Sequence, residues 1–518
     1  MRPVVYIIGA GPGDPGLITA RGLQCLATAD VVLYDRLVSP RLLRFAPSHA
    51  ERIDVGEPAP RALDQEAICY LLAEKAREGR LEARLKWGDP FVFDPGGQEA
   101  LFLHEQGVPF EVVPGVPAAV GVPGYAGVPV TYPGGGETLT LVRGNEDESQ
   151  SPPQVDWASL VQLQGTIVCY AGSRQLGAML TALAANGAGE QPAAVIFDGT
   201  LPSQRTWQGT VAELGARVKE SPPRESSMLV VGRVTALREH LRWFDERPLF
   251  GRRILVTRPR EDAPELSDLL AGLGAAAIEA PMTRILPADD YAPLDETIAR
   301  LDAFDWILFA SSTAVDHFMQ RLLQGPGDLR NLHGTRICCI GPATRARLER
   351  YHLKVDLMPG EGHPEAVVQA LAAGGPLHGV RFLLPRADVG REVLAAELRK
   401  AGATVTDVTA YRLVVSEPER VGEPDVYRML LEDQIDMVTF TSASTVRNFV
   451  SIIGHDQAQD LLSRTVVACI GPVTAEAAAQ LGIQTQLMPS EYTIPALVEA
   501  ILHHYDGKPV EGRPAPVG

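Results

Sequence analysis

Two short loops in the second half of the chain place hydroxyl side chains at matching positions. Cys-Ile-Gly-Pro-Ala-Thr at 339–344 returns as Cys-Ile-Gly-Pro-Val-Thr at 469–474, and the segment 305–313 returns at 436–445. Each copy predicts strands that run into helix N-termini, where backbone N–H groups bind anions. The duplication predicts two similar α/β lobes facing each other across a cleft. The candidate substrate-binding hydroxyls are Thr344, Thr474, Ser311 and Ser442.

Two arginines at predicted strand ends could hold substrate carboxylates. Arg258 and Arg386 each follow a strand-like apolar run, and guanidinium groups form charge-assisted hydrogen bonds to carboxylates. Surface salt bridges are the alternative for both. The histidines are scattered, and the sequence predicts neither a Ser-His-Asp arrangement nor a metal site.

A glycine-rich segment in the first half indicates a second ligand site. Gly9, Gly11 and Gly13 follow a buried strand-like run, where glycines permit a tight turn and close approach of a ligand. A dinucleotide fingerprint would need glycine where Asp14 stands, so an NAD site is disfavoured. A plain tight turn is the alternative. Three further loops, at 34–39, 88–93 and 112–116, follow predicted strands and strengthen the ligand-site interpretation.

Length and composition set the wider frame. A chain of 518 residues is too long for one core, and 45% hydrophobic with 21% charged residues is typical of globular domains. The net charge of −17 argues against a nucleic acid partner. The sequence predicts neither a membrane span nor a signal peptide. Six cysteines without a CxxC pair predict buried reduced thiols and a cytoplasmic protein.

The first half resembles the uroporphyrinogen-III C-methyltransferases of the tetrapyrrole methylase family over residues 1–245. The motifs are Gly-Ala-Gly-Pro-Gly-Asp-Pro at 9–15, Tyr-Asp-Arg-Leu-Val-Ser at 34–39, Arg-Leu-Lys-Trp-Gly-Asp-Pro-Phe-Val-Phe at 84–93 and Tyr-Ala-Gly-Val-Pro-Val-Thr at 125–131. The resemblance implies a homodimer that binds S-adenosylmethionine between two α/β lobes and methylates uroporphyrinogen III at two pyrrole carbons, giving precorrin-2. Asp35 would face the substrate. The cofactor-binding residues would be Gly9, Gly11, Gly13, Gly88, Asp89, Pro90, Pro114, Gly115 and Thr131.

The chain departs from that family pattern mainly where cationic or hydroxylic residues are usual. The substituted positions are Glu57, Pro58, Trp87, Asp94, Pro95, Pro117, Ala118, Tyr132, Pro133 and Ala171. Uroporphyrinogen carries eight carboxylates and needs charge-assisted donors. We therefore hypothesise that the methylase half is impaired or handles its substrate differently.

The second half resembles uroporphyrinogen-III synthase over residues 251–505. The motifs are Leu-Val-Thr-Arg-Pro at 255–259, the two duplicated loops, Leu-Leu-Pro-Arg at 383–386, Ala-Tyr-Arg at 410–412 and Glu-Tyr-Thr-Ile at 491–494. The resemblance implies two flavodoxin-like lobes, joined by two crossing strands, that close hydroxymethylbilane to uroporphyrinogen III with inversion of the last ring and without a cofactor. Tyr411 matches a family tyrosine that assists loss of the hydroxyl. Packing in the hinge strand is the alternative for Tyr411.

Together these features predict a bifunctional α/β tetrapyrrole enzyme. The methylase would occupy 1–246, with lobes at 1–115 and 116–246. The synthase would occupy 251–505, with lobe one at 251–283 plus 412–505 and lobe two at 284–411, followed by a disordered tail at 506–518. One alternative keeps only the synthase active and leaves the methylase domain for binding or dimerisation. Another makes the second half a non-catalytic binding module.

Overall fold

The chain divides into two compact units. The computed structural model describes residues 5–56, 63–144, 153–360, 364–388, 392–416 and 424–507. The first unit comprises Met1–Gly251 with Leu273–Ala276, and the second comprises Arg252–Gly272 with Ala277–Gly518. Among the described residues, no helix is long and apolar enough to cross a membrane.

The first unit contains two five-stranded sheets. Its strands are β1 (Val5–Gly9), β2 (Val31–Tyr34), β3 (Glu51–Asp54), β4 (Glu82–Lys86), β5 (Phe110–Val113), β6 (Leu139–Val142), β7 (Thr166–Ala171), β8 (Pro192–Phe197), β9 (Arg205–Thr210) and β10 (Ser227–Val231). Its helices are α1 (Ala20–Leu26), α2 (Gln65–Arg77), α3 (Gly96–Glu105), α4 (Ala118–Tyr125), α5 (Trp157–Gln162), α6 (Leu176–Leu183), α7 (Val211–Glu220) and α8 (Arg238–Leu241).

The two sheets of the first unit differ in strand direction. The first, in the order β3-β2-β4-β1-β5, is parallel throughout and has an apolar core on each face. The second, in the order β6-β7-β10-β8-β9, is antiparallel except for the pair β6 and β7. Since parallel strands end at one edge, the loops after β1, β2, β4 and β5 lie together, as expected for an open α/β ligand site.

The second unit also contains two sheets. Its strands are β11 (Arg253–Val256), β12 (Ala276–Glu279), β13 (Thr283–Pro287), β14 (Trp306–Phe309), β15 (Arg336–Cys339), β16 (Arg381–Ala387), β17 (Thr404–Val415), β18 (Met437–Phe440) and β19 (Val466–Cys469). Its helices are α9 (Ala263–Gly272), α10 (Ala292–Ile298), α11 (Ser312–Gln324), α12 (Pro342–Arg350), α13 (Pro364–Ala372), α14 (Glu392–Lys400), α15 (Val426–Leu431), α16 (Ala443–Ile453), α17 (His455–Ser463), α18 (Pro472–Gln480) and α19 (Ile494–Tyr505).

One sheet of the second unit has the order β12-β11-β18-β19, and the other has the order β13-β17-β16-β14-β15. In the five-stranded sheet, β13 runs antiparallel to β17 and the other neighbours are parallel. The chain therefore enters this sheet along β13 and leaves it along β17. The sheet includes Thr283 and residues 412–415, which the predicted lobe division assigns to lobe one. Residues 508–518 of the predicted tail lie outside the described residues.

The sequence duplication gives equivalent hydrogen bonds in the two sheets of the second unit. The carboxylate of Asp305 accepts the backbone N–H of Arg381, and that of Asp436 accepts the backbone N–H of Arg253. Likewise, the N–H of Cys339 bonds to the carbonyl of Leu357, and the N–H of Cys469 to that of Leu487. The α/β fold class and the two related sheets predicted from the sequence are confirmed.

Candidate active sites

Three loops of the first unit meet at a junction of glycine backbones. Gly11 and Gly88 both have positive φ and exchange two backbone hydrogen bonds, of 3.2 and 2.9 Å. A Cβ on Gly9 would lie 2.5 Å from the Cα of Gly115, and one on Gly115 would lie 2.2 Å from the Gly88 carbonyl oxygen. Glycine is therefore required for the loops to approach this closely. Asp89 ties two of them together by accepting the N–H of Gly115 at 3.0 Å.

The remaining predicted residues of this site are less tightly connected. The backbone at Gly13 lies beside Thr200, whose hydroxyl accepts the N–H of Asp14 at 3.0 Å. Pro90 is buried against Gly96, and Pro114 directly precedes the junction glycine. Thr131 is exposed, and within the described part of the chain no hydrogen bond joins it to the glycine junction.

A buried cluster of charges lies beside the junction, at the same edge of the sheet. Arg84 contacts Asp35 at 2.5 Å and Glu99 at 3.1 Å. Lys86 contacts Asp94 and Glu99 at 3.0 Å and Asp35 at 3.5 Å. Both cations are 1% exposed, whereas Asp35 is 25% and Asp94 14% exposed. The cluster thus presents Asp35 and Asp94 outward and keeps its two cations and Glu99 inside.

This cluster holds more acidic groups than cations. Three carboxyl groups face two cations, and the second oxygen of Glu99 has no hydrogen-bond partner among the described residues. Burial raises the pKa of Asp94 to about 6, although the Lys86 ammonium favours its ionised form. The cluster is therefore expected to have net negative charge once Asp94 ionises.

In the second unit, Tyr411 is held at the middle of a hydrogen-bonded and stacked group. Its hydroxyl lies 3.1 Å from the Ser311 hydroxyl, and its ring stacks on His317 with centroids 5.2 Å apart. Burial raises the pKa of Tyr411, and the carboxylates of Asp262 and Asp388 raise it further. The hydrogen bond with Ser311 opposes this shift by stabilising the phenolate, which is the form that remains after the phenol has donated its proton.

Charged side chains surround Tyr411. Burial raises the pKa of Asp262, and the nearby cations Arg258 and Arg347 oppose that shift. Arg347 also contacts Asp316 at 2.5 Å. Because Asp262 precedes α9 whereas Arg347 lies in α12, these charges come from elements next to different sheets. Charged groups from both halves of the duplication therefore influence the Asp262 carboxyl group, which in turn influences Tyr411.

The other predicted residues of the second unit occupy equivalent places in the two halves. Ser311 and Ser442 both cap helices, accepting the N–H groups of Ala314 and Thr445. Thr344 and Thr474 lie in the first turns of α12 and α18 and are buried. Both predicted arginines have carboxylate partners: Arg258 contacts Glu265 at 3.0 Å and Arg386 contacts Asp407 at 2.9 Å.

Comparisons with known proteins match both halves of the chain. The model of the tetrapyrrole (corrin/porphyrin) methylases matches residues 4–215, and that of uroporphyrinogen-III synthase HemD matches residues 264–499. The porphyrin biosynthesis protein HemD of Ruminiclostridium josui is 34% identical over 503 residues, which cover 96% of this chain and 97% of that protein. The chain belongs to both families. It is a bifunctional enzyme of tetrapyrrole biosynthesis, as the sequence predicts.

Two further relatives match smaller parts of the chain. The uroporphyrinogen-III C-methyltransferase of Bacillus subtilis is 34% identical over 368 residues, covering 70% of this chain and 75% of that protein. The siroheme synthase of Azotobacter vinelandii is 45% identical over 246 residues, covering 47% of this chain and 52% of that protein.

Sequence reasoning missed several residues that surround the predicted ones. In the methylase domain these are Arg84, Lys86 and Glu99, and in the synthase domain Asp262, His317 and Arg347. Arg84 and Lys86 alternate with apolar residues in a strand that is buried throughout, and this pattern could have predicted buried ion pairs. No comparable local signal marks His317.

Proposed function

We propose that the synthase domain closes hydroxymethylbilane to uroporphyrinogen III with inversion of ring D, and that the methylase domain methylates this product at two pyrrole carbons to precorrin-2. The observation that carries the proposal is the succession of both family matches along one chain, together with a relative that is similar over 96% of it. The first product is then the substrate of the second reaction.

In the synthase reaction, Tyr411 is the proposed proton donor to the departing hydroxyl group. The C–O bond breaks, water leaves, and the positive charge that develops is delocalised over the pyrrole rings. The Ser311 hydroxyl can then donate to the phenolate oxygen, since the two oxygens lie 3.1 Å apart. The proposed substrate-binding groups are Ser311, Ser442, Thr344, Thr474, Arg258 and Arg386.

The arginine roles require an exchange of partners. Arg258 and Arg386 are paired with Glu265 and Asp407, so a substrate carboxylate must share or displace these acids. The exchange costs little, because a partly exposed ion pair contributes only about 0–1 kcal/mol to stability. Thr344 and Thr474 are buried, so their proposed contribution to substrate binding is indirect. They help to form the N-termini of α12 and α18, where backbone N–H groups attract carboxylates.

In the methylase domain, the glycine junction is the proposed site for S-adenosylmethionine. At Gly88 the packing is less tight than at Gly9 and Gly115, since a Cβ there would make only ordinary van der Waals contact, 3.6 Å from the Ala118 nitrogen. The adjacent charge cluster has more carboxyl groups than cations, so it attracts the positively charged sulfonium of S-adenosylmethionine. When bound, this cofactor supplies the methyl group. Asp35, at the exposed edge, is the proposed contact to the tetrapyrrole. The residues mainly align the two reactants, which can lower a barrier by about 7–11 kcal/mol.

One observation favours the second candidate, an impaired or altered methylase domain. Asp94, one of the departures from the family pattern, neutralises Lys86 at 3.0 Å and places another carboxylate at the exposed edge. A substrate with eight carboxylates is repelled by that charge. Glu57 and Pro58, two other departures, lie outside the described residues.

The experiment is an anaerobic incubation of the full chain with hydroxymethylbilane and methyl-labelled S-adenosylmethionine, followed by identification of the tetrapyrroles. Doubly methylated product supports both activities. Unmethylated uroporphyrinogen III alone supports the second candidate, and the type I macrocycle alone contradicts a working synthase. Tyr411→Phe and Asp35→Asn are matched controls when the two steps are assayed separately: with hydroxymethylbilane the first variant should slow cyclisation, and with uroporphyrinogen III only the second should slow methylation.

We propose a cytoplasmic enzyme whose partners are small tetrapyrroles and not nucleic acids, and which dimerises through the methylase domain. All six cysteines are free and buried, which suits a reducing compartment. Large apolar side chains such as Phe91 and Tyr132 are exposed on the methylase domain, and exposed apolar surface often marks an interface.

A further inference from the structure

One helix of the synthase domain contacts the Tyr411 side chain at two points. Ser311, at the N-cap of α11, hydrogen-bonds to the hydroxyl. His317, nearly two turns further along, lies flat on the ring, with an interplanar angle of 18° and centroids 5.2 Å apart. The hydroxyl and one face of the phenol are therefore both fixed from α11.

The backbone at Tyr411 is irregular, so these side-chain contacts matter. β17 is in register with β16 up to Thr409, which pairs with Arg386, but Ala387 then pairs with Tyr411. Ala410 is thus an extra residue, forming a bulge that bends the strand and redirects the next side chain. The ring torsion of tyrosine is also broad and poorly defined by the backbone alone.

We propose that His317 is a positioning residue for the synthase reaction, holding the Tyr411 phenol in the plane that keeps its hydroxyl on Ser311 and directed at the substrate. The inference rests on the proposed role of Tyr411 as proton donor. Displacement of a reacting group by about 1 Å can cost about a hundredfold in rate, so a stacked ring that narrows the orientation of the phenol has a measurable effect.

The other copy of the repeat supports a specific role for this ring. Asn448 occupies the position equivalent to His317 in α16, and its side chain donates hydrogen bonds to the Met282 carbonyl and the Thr283 hydroxyl. The helix fold therefore accommodates a non-aromatic residue at this position. Burial lowers the pKa of His317, which suits a neutral stacking ring.

The test measures kcat, KM and the ratio of type III to type I product for the full chain with hydroxymethylbilane. His317→Asn, which introduces the residue of the other copy, is expected to lower kcat about tenfold with less than a threefold change in KM, and to raise the share of type I product. His317→Phe keeps a flat ring and is expected to stay within about threefold of the unaltered protein. His333→Leu, on an exposed loop, is the control.

A double variant separates this inference from the proposed function. If His317 acts through the Tyr411 hydroxyl, His317→Asn has no further effect on kcat in a Tyr411→Phe background. A slow Tyr411→Phe with an unaffected His317→Asn overturns the inference and leaves the proposed function intact. An equal loss in His317→Phe and His317→Asn also overturns it. An unaffected Tyr411→Phe overturns the role of Tyr411 itself.

Discussion

At the scale of single residues, the most unusual feature is a run of buried charges along β4. Glu82, Arg84 and Lys86 alternate with Ala83 and Leu85, and all three charged residues have at most 1% exposure. A buried charge is tolerated when it is paired. Arg84 and Lys86 have carboxylate partners, whereas neither oxygen of Glu82 has a hydrogen-bond partner among the described residues. Burial accordingly raises the pKa of Glu82 to about 8.

Replacing Glu82 by glutamine should stabilise the methylase domain at alkaline pH. The folded-state pKa of about 8 exceeds the ordinary 4.5, so the folded protein binds the proton more tightly and stability falls as the pH rises from 4.5 to 8. Glu82→Gln removes this fall, raising the free energy of unfolding by about 2–4 kcal/mol at pH 8 and by little near pH 5. Urea unfolding at both pH values, with the exposed Glu105→Gln as control, checks this. Equal gains at pH 5 and 8 would contradict it.

Asp94→Asn should strengthen binding of uroporphyrinogen III to the methylase domain. Asparagine can still accept the Gly96 N–H, which Asp94 accepts at 2.9 Å, but it removes one negative charge from the exposed edge. We expect KM for uroporphyrinogen III to fall about threefold to tenfold at pH 8. Because the pKa of Asp94 is about 6, the unaltered protein should approach the variant at pH 5. Initial rates of methyl transfer measure this, with Asp156→Asn as an exposed control; a higher KM at pH 8 would show that Asp94 assists binding.

At the scale of elements, the duplicated helix starts offer a matched comparison. Ser311 and Ser442 both cap their helices, but of these two only Ser311 also hydrogen-bonds to Tyr411. Replacing either serine by alanine should cost about 1 kcal/mol of stability through the lost cap. Ser311→Ala should in addition lower the synthase kcat about tenfold relative to Ser442→Ala. Thermal unfolding and cyclisation rates measured on both variants test this, and equal kcat values would exclude a role for Ser311 in proton donation by Tyr411.

The glycine junction gives a second comparison at this scale. A Cβ on Gly115 would clash with the Gly88 carbonyl oxygen, so Gly115→Ala must displace a loop and should weaken binding of S-adenosylmethionine more than about tenfold. Gly97 is in α3, and a Cβ there would have no atom within 4 Å, so Gly97→Ala should leave binding unchanged and stabilise the helix by up to about 1 kcal/mol. Calorimetric titration distinguishes the two. Normal binding by Gly115→Ala would place the ligand elsewhere.

Features that depend on neighbouring residues can be predicted from the sequence, whereas contacts between residues far apart in the chain cannot. Most strands are predicted because runs such as Val31–Tyr34 and the loops after them are local signals. By contrast, β3 (Glu51–Asp54) carries no such local signal, because it is charged, half exposed and at a sheet edge. The contact of Tyr411 with Ser311 spans 100 residues, and the stacking on His317 depends on a bulge. Only the tertiary structure could reveal these.

At the scale of the whole molecule, the chain joins two enzyme domains whose proposed reactions are consecutive, and the methylase domain is the proposed site of dimerisation. Sedimentation equilibrium of the full chain should therefore give twice the mass of one chain. A fragment of residues 1–251 should also dimerise, whereas one of residues 252–518 should be monomeric. A dimeric synthase fragment would move the interface to the other domain, and a monomeric full chain would exclude the dimer.

The duplicated helix position held by His317 in one half and Asn448 in the other bears on how a linear substrate is oriented. Hydroxymethylbilane is a row of four similar rings whose two ends differ in reactivity. Two identical walls would accept such a row equally well from head to tail or from tail to head, and half of all encounters would be unproductive. In one half of the synthase domain the Tyr411 phenol stacks on the His317 imidazole, whereas in the other half the Asn448 amide donates a hydrogen bond to Thr283 of β13. If the substrate binds between the two halves as proposed, divergence after duplication gives the synthase domain a polarity by which the reactive end of the substrate can be distinguished.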